Sequence, residues 1–491
     1  MSQPLLIILI ILAYVGILLA ISHYSSRHAD NSTFFIGNRR MPWLAVALAM
    51  ITAPISGVTF ISVPGMVVTK GYGYLQMCMG FIVGYFVIAL ILVPLYYRHN
   101  IVSIYGFLEQ RFGREAYKTG ASFFLISKVL GTGVRFLVVC LSLQVLVFSP
   151  LGIPFVANVV LTMALIGIYT VRGGVKTVVR ADMFKSICLV VSTLLCIYFI
   201  SSRLGFSIGD LAERVAQHPS SRVMFMEDSM DGNYFWKQFI AGIFLVVAMT
   251  GLDQDMMQHT LSCRDTFSSR KNLYLSSFLQ FGVITLFLML GTLMMIYMET
   301  FAMDMPEKSD DIFASVAFHK EMPVIVGILF VLGLVSSSYS SVGSALTSLT
   351  TSFTIDILEG QKRFGDKKLS VLRKIVHISI ATLLIIIILG FYYLNDRDAI
   401  SAVYTMASYT YGPILGLFIF GIFTKRQVNG RMVAAICIIA PVLSWVVQFL
   451  CDIYFGYTIG YELLLLNAGL ILLGLYSLPA TKTENLSMEA S

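Results

Sequence analysis

The sequence predicts an all-α polytopic membrane protein, and three observations carry that prediction. The 491-residue chain is 57% hydrophobic and 12% charged, with a mean hydropathy of +0.82. No soluble domain of this size has such a composition. Apolar runs of about 20 residues, the length that crosses roughly 30 Å of hydrocarbon, recur from end to end. The runs are continuous rather than alternating, which excludes a β-barrel.

Thirteen spans follow in order, at about 3–22, 43–68, 73–97, 119–148, 152–171, 180–201, 236–257, 273–299, 322–356, 372–394, 399–424, 431–454 and 460–478. The first, from Pro4 to Ile21, lacks a basic leading region and a small-residue cleavage site, so it reads as a retained helix. The second and ninth are long for one crossing, which predicts tilt, a break or an extension beyond the membrane. Basic residues alternate between the connecting loops. Arg27, Arg39 and Arg40, then Arg98, Arg111, Arg114 and Lys118, then Arg172 and Lys176, then Arg264, Arg270 and Lys271 fall on one side. Lys362, Arg363, Lys367, Lys368, Arg373 and Lys374, then Lys425, Arg426 and Arg431, continue on that side, while the opposite loops are poor in basic residues or acidic, as in Glu299 to Asp311. By the positive-inside rule the N-terminus is outside and the C-terminus inside, in a cytoplasmic (inner or plasma) membrane. The net charge of +7 therefore reports orientation and is no signal for nucleic acid. The seven cysteines lie mostly inside spans without metal-ligand spacing and read as small hydrophobes. The pieces Asn100–Lys118 and Ser202–Tyr234 are too short for separate catalytic domains, and the tail after Pro479 is polar and expected to be disordered.

Polar interruptions carry the functional reading. The second span holds Pro54 and Gly57 near its middle, with Thr52, Ser56 and Thr59 around them. A mid-helix proline frees a carbonyl, tolerated in a bilayer where water, an ion or a solute meets it, or as a simple kink. The seventh span has a comparable interruption at Ala248 to Gln254. Interrupted helices five spans apart are the mark of a transporter built from two inverted repeats, with spans 2–6 and 7–11 as its core. That divides the chain into an extra helix and inner loop (1–40), a first five-helix repeat (41–201), an outer loop (202–235), a second five-helix repeat (236–426) and two C-terminal helices with a short polar tail (427–491). The ninth span is rich in hydroxyls, and helical spacing puts Ser337, Ser340, Ser341, Ser344 and Ser348 on one face. Such a face is either a close-packed seam of small residues or a binding surface. Arg135, in the middle of the fourth span, needs an anion: a bound carboxylate suits its fork of donors, and an internal acid is the structural alternative. Asp182 opens the sixth span, where Arg180 or another loop base is an ordinary partner, and Asp253 and Asp255 read as helix-end structure. His377 reads as a packed or interfacial histidine. There is no GxxxxGK loop and no other constellation of an enzyme, so no catalytic residue and no organic cofactor are expected.

Five stretches, in register with this topology, resemble the sodium:solute symporter family. They are Gly106 to Gly113 (GFLEQRFG), Tyr169 to Asp182 (YTVRGGVKTVVRAD), Gly251 to Gln258 (GLDQDMMQ), Ser340 to Ile357 (SSVGSALTSLTTSFTIDI) and Gly412 to Gly430 (GPILGLFIFGIFTKRQVNG). The resemblance implies a LeuT-like five-plus-five inverted-repeat fold and secondary transport that couples Na+ influx to solute uptake. Its shared sodium site would use the carbonyls of Thr52, Ile55 and Ser337 and the hydroxyls of Ser340 and Ser341. Some members hold a second sodium through residues that Asp182 and Ser344 match. The neighbouring Gly343 carries no hydroxyl, which leaves a second ion open. The solute would lie near Ser56, Thr59, Gln76 and Arg135. An arginine on the fourth span resembles the sialic acid members. Val246, Met249 and Cys78 stand where sugar-binding members use polar side chains. A carboxylated solute is therefore expected, with a sugar or polyol, an inner-gate role for Arg135, proton-coupled or uncoupled transport, or a non-transporting sensor of the same fold as alternatives. The partners implied are the solute and the lipid bilayer, with no nucleic acid and no obligate protein partner.

Overall fold

The computed structural model describes residues 3–26, 31–99, 101–171, 174–394, 399–457 and 459–479. Arg27, Arg172 and the tail after Pro479 lie outside them. The described residues form helices throughout, with one isolated bridge between Met41 and Cys263. Among the described residues, nine helices are long and apolar enough to cross a membrane, and up to eleven if each of two sharply bent pairs counts as one span. Phe155–Thr170 and Leu463–Ser477, at 16 and 15 residues, are shorter than a straight crossing needs. Each of the thirteen expected segments thus contains apolar helix, but the length criterion alone does not make thirteen crossings.

The ninth span is the axis of the molecule. It runs unbroken from Val324 to Ile357, and 78% of its apolar window is buried, against 22% for Gly430–Phe455. Its length comes from continuation beyond one crossing, with no break, and its last turn widens to π geometry over Phe353–Ile357. Small side chains let neighbours close on it. A Cβ at Gly333 would sit within 2.8 Å of Phe60 Cε2 and Ser192 Oγ, so that glycine admits the second and sixth spans.

The second span is two helices, Trp43–Thr52 and Gly57–Gly65, bent by 58°. Pro54 cannot donate, so the first half ends with the Ala53 N–H on Ala49. The chain then runs extended at Ser56 (φ −94°, ψ 174°), whose N–H meets the Thr59 hydroxyl at 3.3 Å to start the second half. The seventh span breaks more sharply, by 73°, between Phe235–Gly251 and Gln254–Thr260. Asp253 caps the second piece, accepting from the N–H groups of Asp255 (2.8 Å) and Met256 (3.2 Å). Both interruptions fall where the sequence places them.

Candidate functional site

The two breaks differ in what satisfies their freed carbonyls. At the seventh span, Tyr96 donates to the Gly251 carbonyl (2.8 Å) and Tyr105 to the Leu252 carbonyl (3.0 Å). At the second span, the carbonyls of Thr52 and Ile55 accept no hydrogen bond from the described residues. The Thr52 hydroxyl instead ties the break to its neighbours: Ser340 donates to it at 3.1 Å, and it shares a hydrogen bond with Ser186 at 2.9 Å. Ser341, one residue on, is buried and its hydroxyl makes no hydrogen bond among the described residues. Ser337 turns its hydroxyl back onto the carbonyls of Gly333 and Leu334, leaving only its own carbonyl for another ligand. The structure thus places the Ser340 hydroxyl on the break at Thr52, with the unbonded Ser341 hydroxyl one residue on. That donor set fits a hard monovalent cation that must be released again.

Beside it lies an open cavity of about 1110 Å³, solvent space included, between the second, third, fourth, seventh, eighth and eleventh spans. Ser56, Thr59 and Arg135 line it, as the sequence anticipates. Gln76 does not. Its amide donates to the Asn233 carbonyl (2.8 Å) and accepts from the Phe225 N–H (3.0 Å), fastening the outer loop to the third span. Both ends of the amide are thus paired in this structure, outside the lining of the cavity. Gln280 on the eighth span, which sequence reasoning passed over, faces the cavity with a buried carbonyl oxygen that has no partner. Val246 and Met249 give the seventh-span wall an apolar surface.

Two cations line the cavity, and their situations are opposite. Lys128 is buried and paired with Asp255 (2.7 Å) and Asp253 (3.2 Å). Tyr411 also donates to Asp253, and Ser344 to Asp255. Arg135, one helical stretch further along the same span, forms no hydrogen bond or ion pair among the described residues. Asp253, the aspartate that lines the cavity, is engaged by Lys128 and Tyr411 and forms no ion pair with Arg135.

Asp182 is fully buried and does not pair with Arg180, which donates to Ser25 at 3.2 Å. Its partners are Lys185 (3.2 Å) and His259 Nε2 (3.3 Å). Asp182 and Ser344, expected to share a second sodium, are thus engaged with different groups. His377 packs between the Thr170 and Thr350 hydroxyls at 3.0 Å each, as a buried structural histidine. Sequence reasoning missed Lys128, Lys185 and His259. Each is an ionisable group inside a span, and that alone was the available signal.

A polytopic helical bundle with two broken spans and a cavity beside the first break is the architecture of the LeuT-like class of membrane transporters. The chain belongs to the sodium:solute symporter family, whose model matches residues 34–437. It is similar to the sodium-dependent multivitamin transporter of Oryctolagus cuniculus (26% identical over 398 residues, 79% of this chain and 61% of that one). It is also similar to the sodium/sialic acid symporter of Aliivibrio fischeri (24% over 455 residues, 88% and 86%). The chain thus spans about three fifths of the rabbit transporter, and 64% of the human sodium/iodide cotransporter with which it is 24% identical. Among solved structures, the outward-open, substrate-bound state of a Na+-coupled sialic acid symporter superimposes with a TM-score of 0.82 at 19% identity, covering 97% of this chain and 98% of that one. The nucleobase-cation-symport-1 transporter Mhp1 matches at 0.52 and 12% identity, covering 93% and 98%. These likenesses establish the fold.

Proposed function

We propose that the chain couples Na+ influx to uptake of a small carboxylated solute by alternating access, with its N-terminus outside and its C-terminus inside. The observation that carries this reading is the unpaired Arg135 guanidinium in a cavity whose other cation, Lys128, is already neutralised. A fork of donors without an internal acid suits a carboxylate entering from outside. Ser56, Thr59 and Gln280 supply hydrogen bonds for the rest of the solute, and Val246 and Met249 an apolar surface that would hydrogen-bond a sugar poorly.

The coupling ion enters the same argument. Na+ held by the carbonyls of Thr52, Ile55 and Ser337 and the hydroxyls of Ser340 and Ser341 would pin the broken span against the ninth. Residues Ala53 to Ser56, which join the two helical halves, line the solute cavity and would complete that ion site, so filling one orders the wall of the other. Each Na+ moving inward adds its chemical gradient to about 2.3 kcal/mol per 100 mV of membrane potential. The test is uptake into proteoliposomes with and without a Na+ gradient, across sialic acid, amino acids, monocarboxylates, sugars and inositols. Gradient-driven accumulation of a carboxylated solute is expected. Uptake indifferent to Na+ would refute the coupling, and uptake of a sugar alone would refute the carboxylate.

A further inference from the structure

Lys185 is the most deeply buried cation in the molecule's centre, with no side-chain exposure at all. Its ammonium meets oxygens from three different spans. These are Asp182 Oδ1 on its own helix (3.2 Å), the Tyr169 hydroxyl on the fifth span (2.9 Å) and the Tyr339 carbonyl on the ninth (3.0 Å). One carboxylate, one hydroxyl and one carbonyl converging on a single positive charge make the coordination shell of a small cation, supplied with a cation that is part of the chain. Tyr339 immediately precedes Ser340 and Ser341, and Ser186, the next residue after Lys185, bonds to Thr52. The tethered charge is therefore bonded to the residue before Ser340, and its own neighbour Ser186 to the break at Thr52.

A second, independent observation concerns Gly343. A Cβ there would collide with the Tyr169 hydroxyl and lie 3.0 Å from its Cζ. Any side chain at 343, including a hydroxyl that could serve as an ion ligand, is excluded by the tyrosine that holds Lys185. Tyr169 also donates to the Tyr339 carbonyl at 2.6 Å, so its place is fixed from both sides. On the next residue, Ser344 points its hydroxyl to Asp255 and away from Asp182. The second oxygen of Asp182 is taken by His259.

Resting on the symport reading above, we infer that the Lys185 ammonium permanently holds the cation position beside Asp182, so that the protein binds one Na+ and not two. A mobile Na+ at Asp182 would have to share one carboxylate with a like charge that has nowhere to move within a packed core.

Binding of radiolabelled Na+ alone to the purified full chain in detergent tests this without knowledge of the solute. Wild type is expected to saturate at about one Na+ per chain and Ser341→Ala to lose it. Lys185→Gln, which frees Asp182, should saturate at about two, with a steeper Na+ dependence. Lys185→Arg, which keeps the charge, and the double variant Asp182→Asn with Lys185→Gln should remain at about one. Two ions in wild type, one of them lost in Ser341→Ala, would overturn the tethered-cation inference while leaving symport intact. An unchanged count of one in Lys185→Gln would do the same. No saturable Na+ binding in wild type would overturn both. Should Lys185→Gln not yield folded protein, Lys185→Met, which also removes the charge while filling the same space, carries the same expectation of about two and the same refutation at one.

Discussion

At the scale of single residues, the claims rest on which polar groups are already paired. Ser341 is a buried residue whose hydroxyl has no partner among the described residues. Removing one of about five oxygens around a cation costs about as much as a hydrogen bond to a charged group, ~1.5–3 kcal/mol, or roughly a ten- to hundredfold weaker affinity. Ser341→Ala should therefore raise the Na+ concentration for half-maximal uptake by at least about tenfold. Ser348→Ala should leave it unchanged, since that hydroxyl only donates back to the Ala345 carbonyl at 2.9 Å. Arg135→Ala should abolish uptake of a carboxylated solute while the Na+ binding count stays the same, and Arg135→Lys should restore little, because a point charge lacks the fork. Retained uptake in Arg135→Ala would exclude the guanidinium as the solute's anchor. Residue types along the chain flag Arg135, Ser340 and Ser341 well, because an arginine or a serine ladder in a bilayer is conspicuous. They do not flag which acids are already paired. Lys128 and Lys185 decide that, and their partners lie 125 and 3 residues away, respectively. Gln76 shows the same limit: its amide finds Asn233 and Phe225, 157 and 149 residues distant.

At the scale of the elements, the two broken spans look alike in sequence and differ in use. Proline and glycine mark the first, and a polar Thr-Gly-Leu-Asp run marks the second, so both interruptions are legible from one dimension. What closes the second is not. Tyr96 and Tyr105 reach it from the third span and the inner loop that follows, and cap Gly251 and Leu252. The break in the seventh span is thereby a sealed structural joint, while the break in the second span keeps its oxygens available. Tyr96→Phe should leave a buried carbonyl unsatisfied at a cost of about 1–3 kcal/mol. The expected result is a lower unfolding temperature with an unaltered Na+ count. A shifted Na+ count with unaltered stability would show instead that the seventh-span break takes part in ion binding. The serine-rich ninth span is legible in its face and its apolar length, but Gly343 is not: its lack of a side chain acquires meaning only through the Tyr169 hydroxyl that would collide with a Cβ.

At the scale of the whole molecule, the alternating access proposed above would require the spans to part at the ends placed inside, and ion pairs between charged side chains join them. Glu359, just past the ninth span, accepts from Arg114 at the start of the fourth (2.7 Å) and from Lys118 (3.1 Å), and Lys362 reaches Glu109 at 2.8 Å. Hydrogen bonds from Arg114 and Lys118 hold the Glu359 carboxyl well below its ordinary range, at about 2. A depressed carboxylate contributes above its unperturbed value and is lost only as pH falls through the depressed one, so this clasp should be indifferent to pH between about 5 and 8. Exposed pairs of this kind are individually weak and screened by salt. They bias an equilibrium between outward- and inward-facing forms without locking it, which is what a carrier that must complete its cycle requires. Glu359→Gln should therefore increase the inward-open population. The readout is faster labelling, from the inner side, of a cysteine introduced at Thr132 on the cavity wall, with the difference from wild type shrinking at high salt. Equal labelling rates in both proteins at low salt would remove the clasp from the transport cycle and leave it a local fastening of the loop between the ninth and tenth spans.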